Sequence, residues 1–250
     1  MKILLANGCS HTSGAEIEYK NQVECHHKAW PKFIADKLGC GYVNLAKAGS
    51  GNQRIIRTTQ SWIIDNVIIN KNYRPEDITL FIMWSGLDRK EVYFRDTNVL
   101  DDINPLCKPE YIRTNMVKEI NTLKDVIVYF HDILFSNYEF LMMFINFNSF
   151  LENNKIKVYY ANGINEVMKP SDMDNTHRLY HDYTNLMNYI NSKQINYMNI
   201  NEQNDVFFHH MNNYSKIPMP KHVEFAHWGE DGQIYWANKV YDYFFNKKLI

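Results

Sequence analysis

The sequence predicts an α/β protein, a three-layer α/β/α sandwich around a central parallel sheet of about five strands. Three observations carry that prediction. Short, nearly continuous apolar runs recur along the chain, as in ITLFIMW at Ile78–Trp84. Between them lie segments with apolar residues at helical spacing, as at Trp30, Phe33, Ile34 and Leu38. Turn signals such as Asn7-Gly8, Gly39 and Asn162-Gly163 separate the two kinds of segment. Strands covered on both faces read as continuous apolar runs, and parallel strands need helical crossovers.

The elements follow in order. Lys2 to Ala6 reads as a first buried strand, ended by Asn7-Gly8. Trp30 to Leu38 reads as a helix stopped by Gly39 and Gly41. Tyr42 to Ala46 is a second strand, closed by Gly49-Ser50-Gly51. Arg54 to Ile69 carries Ile55, Ile56, Trp62, Ile63 and Val67 and reads as a helix. Ile78 to Trp84 is the third strand. Ile112 to Leu151 reads as mostly helical, in more than one helix. Lys157 to Ala161 is a fourth strand, and a fifth is expected around Ile195 to Ile200. Gln233 to Phe245 is a closing amphipathic helix built on Ile234, Trp236, Ala237, Val240, Tyr241 and Phe244. No repeat, charge block or Gly/Ser linker interrupts the chain. It is expected to be one domain over 1–250, with an Asn- and Tyr-rich insertion or lid at about 164–220.

Composition narrows the function classes. A chain of 250 residues with 45% hydrophobic and 22% charged residues has ample apolar material for one sizeable core. A net charge of −1 gives no global basic field, so no nucleic-acid partner is expected. The apolar run Ile3 to Ala6 is too short for a signal-peptide core, and no stretch approaches the ~18 apolar residues of a membrane span. The expectation is a product without a signal peptide, cytoplasmic or virion-associated, with no membrane partner. Cys9, Cys25, Cys40 and Cys107 form no C-x-x-C pair and read as free thiols.

Parallel sheets bind ligands beyond the carboxyl ends of their strands. The turns there are Gly8-Cys9-Ser10, Gly49-Ser50-Gly51-Asn52 and Ser85-Gly86-Leu87-Asp88. A serine hydroxyl is a weak nucleophile until a base takes its proton, and the base is usually a histidine held by a carboxylate. Near the far end of the chain stands Glu224-Phe225-Ala226-His227, whose three-residue offset lets the carboxylate reach the ring. Ser10 is therefore the candidate nucleophile, His227 the candidate base and Glu224 its orienting carboxylate.

These blocks resemble the SGNH (GDSL-like) hydrolase family, in the variants found in phage genomes. The first family block resembles Gly8-Cys9-Ser10-His11-Thr12, and the second is similar to Asn44-Leu45-Ala46-Lys47-Ala48-Gly49. The third matches Trp84-Ser85-Gly86-Leu87-Asp88 in position, and the last resembles Glu224-x-x-His227 with Gly232 and the following helix. The resemblance implies the flavodoxin-like sandwich of that family and an oxyanion hole in which Ser10 and Gly49 donate backbone N–H groups. It implies a serine esterase acting on an ester such as an O-acylated glycan, with no metal or organic cofactor. Three positions depart from the pattern: Cys9 replaces the usual Asp, Leu87 the usual oxyanion-hole Asn, and Glu224 the usual Asp. Asn52, three residues after Gly49, is the candidate substitute donor for the missing asparagine.

Other readings of the same residues stand beside these. Ser10 could cap the next helix, Asn52 could cap the helix of Arg54, and His227 could be a core histidine. Cys9 or His11 could rival Ser10 or His227. Gly49 and Gly51 could serve only a turn with positive φ. His177-x-x-x-His181 would share a helical face, but without a third ligand it reads as surface histidine rather than metal site. Arg54, Arg57, Arg89 and Lys90 lie near the active edge and could attract an anion or simply be solvated. The alternative to an enzyme is a catalytically impaired binding or virion structural protein on the same fold, with a virion partner or a second copy of itself. The abundance of Asn, Ile, Lys and Tyr fits an AT-rich coding sequence, as in a phage or a low-GC bacterium.

Overall fold

A computed structural model of the chain describes residues 1–15, 17, 24–87, 89–94, 99–103, 133–199, 206–207, 211 and 228–246. Four parallel strands form the sheet: β1 (Ile3–Asn7), β2 (Gly41–Asn44), β3 (Ile78–Trp84) and β6 (Lys157–Asn162), in the order β2-β1-β3-β6. β1 is thus central, with Ala6 opposite Asn44 on one side and Asn7 opposite Ile82 on the other. Among the described residues the expected fifth strand is reduced to single parallel bridges beyond β6, from Tyr197 to Tyr160 and from Val206 to Asn162. Asn199 has φ of 40°, a left-handed conformation that breaks an extended run there.

The side-chain alternation of the strands sorts the core into two faces. Ile3, Leu5, Leu80, Ile82, Trp84, Val158 and Tyr160 point to one side. There they meet α3 (Asn52–Ile63), α4 (Ile133–Asn153) and α5 (Tyr180–Ser192) through Ile55, Ile63, Phe140, Phe144, Phe147, Tyr183 and Met187. Leu4, Ala6, Phe81, Met83, Tyr159 and Ala161 point to the other side. They pack on α2 (Trp30–Leu38) and α6 (Glu230–Phe245) through Trp30, Ile34, Trp236, Ala237 and Val240. This is the three-layer arrangement that the continuous apolar strands require.

Aromatic rings fill the middle of both layers. Trp84 stacks on Tyr160 with centroids 5.7 Å apart and takes Phe140 edge-on at 5.3 Å. Phe81 stacks on Tyr159 at 5.0 Å on the opposite face. The outer helices are joined where the Trp30 N–H donates to Gln233 Oε1 at 3.0 Å, satisfying a helix-start donor that no residue of its own helix can reach.

Several local expectations change. The Arg54 helix begins earlier, at Asn52, and after Ile63 continues as a π-helical segment, Ile64–Ile69. Between β3 and α4 the chain forms an antiparallel hairpin, β4 (Lys90–Phe94) with β5 (Val99–Ile103), which the sequence reading did not anticipate. Of the expected helical stretch Ile112–Leu151, residues 133–151 are helical and residues 112–132 lie outside the described residues. The Asn-rich segment contains α5, whose Tyr183 and Met187 are buried in the core. Its apolar positions are too sparse to stand out among the asparagines. Among the described residues, no helix is long and apolar enough to cross a membrane.

Candidate active site

The site edge is built from the end of β1. Asn7 is fully buried, and its side chain turns toward α3. Its Nδ2 lies 3.0 Å from the Ile55 carbonyl, 2.8 Å from Thr58 Oγ1 and 2.9 Å from Thr59 Oγ1, while Oδ1 accepts the Gly8 N–H at 2.8 Å. An amide has only two N–H donors, so these three acceptors share them. Asn7 thereby fastens the strand that leads to Ser10 to the helix that carries Asn52. Gly8 must be glycine: a Cβ there would sit 2.2 Å from Thr12 Oγ1 and 2.9 Å from the Met83 carbonyl.

Ser10 opens a short helix, α1 (Ser10–Ser13), whose N-cap is Cys9. The Thr12 and Ser13 N–H groups both return to the Cys9 carbonyl, at 2.9 and 3.0 Å. Ser10 is therefore the first helical residue and not a cap, which removes the capping reading. Its carbonyl accepts from Gly14, Ala15 and Ser13. Its N–H and its hydroxyl make no hydrogen bond with any described residue, although Ser10 is only 7% exposed. Cys9 is fully buried, as expected of an inert thiol. His11 is buried against Phe207 and Trp228, with ring centroids 4.8 and 6.2 Å away.

The second loop approaches the same edge. Asn44 Nδ2 donates to the Thr12 carbonyl at 2.8 Å, and its Oδ1 accepts the Ala46 N–H at 3.0 Å. Gly49 has φ of +81° and is exposed, with no atom near its missing side chain. Its N–H also makes no hydrogen bond with a described residue. Gly51 has φ of −87°, so a positive φ is not what places glycine there; it is the N-cap of α3. Asn52 is accordingly the first residue of the helix, not its cap. The loop is held from outside by Glu24, whose carboxylate accepts the Ala48 N–H and lies 3.6 Å from His26 Nε2. Burial raises the Glu24 pKa, but the adjacent His26 ring and the Ala48 N–H outweigh it and leave the carboxyl below its usual range.

Asn52 is 3% exposed and reaches the end of β3. Its Oδ1 accepts the Ser85 N–H at 2.8 Å and its Nδ2 faces the Ser85 carbonyl at 3.4 Å. Leu87, at the position expected for an oxyanion asparagine, packs half-buried against the core. Ser10, Gly49 and Asn52 thus lie in two turns, those after β1 and β2, at one carboxyl edge of the sheet. Glu224 and His227 lie outside the described residues, as do Asp88 and Cys107; Trp228, next in the chain, is buried against Phe207.

The metal reading loses its helical basis. His177 precedes α5 and accepts the Leu179 N–H at 3.1 Å, while His181 stands on the helix beside Asn185. Among the described residues, no group of three metal-ligating side chains occurs. The residues that the sequence reading missed are Asn7 and Glu24. An asparagine ending an apolar strand was the available signal for the first; no local pattern marks the second.

The parallel β2-β1-β3-β6 sheet with helices on both faces is the SGNH-like α/β/α fold. Acetyl xylan esterase Est2A from Butyrivibrio proteoclasticus superposes with a TM-score of 0.51 at 10% identity, over 98% of this chain and 64% of that one. A lipolytic protein of the G-D-S-L family from Veillonella parvula gives 0.49 at 12% identity, over 99% and 100% of the two chains. The psychrotrophic esterase EstA from Pseudoalteromonas sp. gives 0.48 at 12% identity, over 97% and 96%. At such identities likeness speaks to the fold alone, and of these three only the xylan esterase is close enough to bear on it. No curated protein matches the chain in sequence. The chain belongs to a family of unknown function (DUF6071), whose match spans residues 10–198.

Proposed function

We propose that this chain is a serine esterase acting on an ester such as an O-acylated glycan. Ser10 is its nucleophile, His227 its base and Glu224 the carboxylate that orients the base. The observation that supports this reading is the state of Ser10. It leaves the central strand at the ligand-binding edge with hydroxyl and N–H both uncommitted among the described residues. A serine kept for capping or packing would spend its hydroxyl on the backbone.

The reaction is acyl transfer to water. His227 takes the Ser10 proton as Oγ attacks the ester carbonyl. The N–H groups of Ser10 and Gly49, with the Asn52 amide, stabilise the charge that develops on the carbonyl oxygen. His227 then protonates the departing alcohol. Water, deprotonated by His227, releases the acid and restores Ser10.

The test is reaction with a fluorophosphonate probe. The native protein should label at Ser10, and Ser10→Ala and His227→Ala should both abolish the label. Absence of labelling in folded native protein would overturn the esterase reading. It would favour the alternative, a binding or virion structural protein, for which Leu87 in place of a polar donor is the specific support.

A further inference from the structure

We infer that Arg54 and Arg89 form an anion subsite beside the Gly49–Asn52 loop, so that the ester taken by this site carries a carboxylate or a phosphate group. The inference rests on the esterase reading above and narrows its substrate class. Two guanidinium groups from separate elements converge on one buried residue. Arg54, in the first turn of α3, directs Nη1 to Ser50 Oγ at 3.1 Å. Arg89, in the segment after β3, directs Nη1 to the Ser50 carbonyl at 3.5 Å. Ser50 itself is fully buried and separates Gly49 from the start of the helix.

Neither guanidinium meets a carboxylate among the described residues. Arg57, one turn further along α3, shows the contrast: its Nε donates to Glu91 Oε2 at 3.1 Å, and a second nitrogen of the same fork meets Oε1. A guanidinium stays charged at any physiological pH and offers five N–H donors in a planar fork, of which Ser50 engages one from each arginine. The N-terminal end of a helix is also the end that repels a cation. Two positive charges with no carboxylate partner among the described residues are therefore gathered at an already positive helix end, both half-buried. Pinning Ser50 alone would need only neutral donors. An anionic group offsets all three contributions at once, and the forked geometry suits an oxyanion. With the ester carbonyl at the Gly49 N–H, a charged group a few bonds along the acyl or alcohol chain reaches the arginine pair.

The experiment uses the full chain and its Arg54→Met, Arg89→Met, Arg54→Lys and Arg89→Lys variants. Binding of succinate and of inorganic phosphate is measured by titration calorimetry. The ratio of kcat/KM for mono-(4-nitrophenyl) succinate to that for 4-nitrophenyl acetate is measured alongside. The expected result is that one of the two anions binds the native chain, identifying carboxylate or phosphate as the ligand. Each Met variant should weaken that binding, and should lower the ratio by about tenfold or more, with the Lys variants intermediate. Moderate salt should compress the native ratio, since the charges are only half-buried. A purely structural role would lower turnover of both esters together and leave the ratio unmoved, which overturns the subsite while the esterase reading stands. Arginine-dependent anion binding with no turnover of either ester would do the reverse. Absence of anion binding in the native chain, with no preference between the esters, overturns the subsite outright.

Discussion

Asn52 holds Ser85 through both of its backbone polar groups, accepting the N–H at 2.8 Å and facing the carbonyl with Nδ2 at 3.4 Å. The pairing mimics a strand partner and joins the start of α3 to the end of β3. The longer of the two contacts is weak, and the amide keeps a second hydrogen that the Ser85 carbonyl does not use. Asn52→Ala should lower stability by about 1–3 kcal/mol, because the buried Ser85 N–H loses its acceptor. It should also cut kcat by roughly 10²–10³ if the amide serves the oxyanion. Urea unfolding and ester turnover separate the two effects, and a destabilised variant with unchanged kcat would remove Asn52 from the oxyanion hole.

Ser10 and Asn7 should behave oppositely under truncation. The Ser10 hydroxyl has no protein partner among the described residues, so Ser10→Ala should leave the unfolding free energy within about 0.5 kcal/mol of native while removing activity. Asn7 bonds across to α3, so Asn7→Ala should lose about 1–3 kcal/mol by leaving buried acceptors unmatched. Equal destabilisation by the two substitutions would contradict this division of labour.

Gly8→Ala tests the close approach of backbone and helix. The new methyl would fall 2.7 Å from Thr12 Cβ and 2.9 Å from the Met83 carbonyl, and the latter is backbone that cannot rotate away. Overpacking of this kind costs about 1–3 kcal/mol, and the helix carrying Ser10 must shift to relieve it. Thermal unfolding should show the loss, and fluorophosphonate labelling should slow with it.

Glu24 sets a dependence on acid. Its carboxyl is held below the usual range in the folded chain, so the unfolded state binds the proton more readily. The stability it contributes is present above the unfolded carboxyl range and is lost as pH falls through the folded value. Glu24→Gln should therefore reduce the difference in melting temperature between neutral and acidic buffer. An unaltered difference would show that the carboxylate does not hold the Ala48 loop in solution.

The strand positions were legible because burial on both faces leaves a continuous apolar run. Ile78–Trp84 and Lys157–Asn162 could be bounded from their turn signals alone. Trp30–Leu38 was equally plain, since its apolar spacing ends at a glycine with φ of 62°. The hairpin at residues 90–103 was not, because its lengths and charges lack a strong period. The start of α3 was also hidden: Asn52 reads like a cap, yet the backbone made Gly51 the cap and freed the amide for Ser85.

By itself the sequence determined the three-layer arrangement, the apolar strands at its centre and the turns that end them. Those properties follow from local periodicity and from the polarity of consecutive residues. Only the tertiary structure decided that Asn7 clamps α3, that Asn52 pairs with Ser85 and that Arg54 and Arg89 meet at Ser50. Each of these joins positions tens of residues apart, or belongs to a side chain whose partner is set by the strand order. A hydrogen bond depends on the distance between two atoms, and the order β2-β1-β3-β6 brings those atoms together.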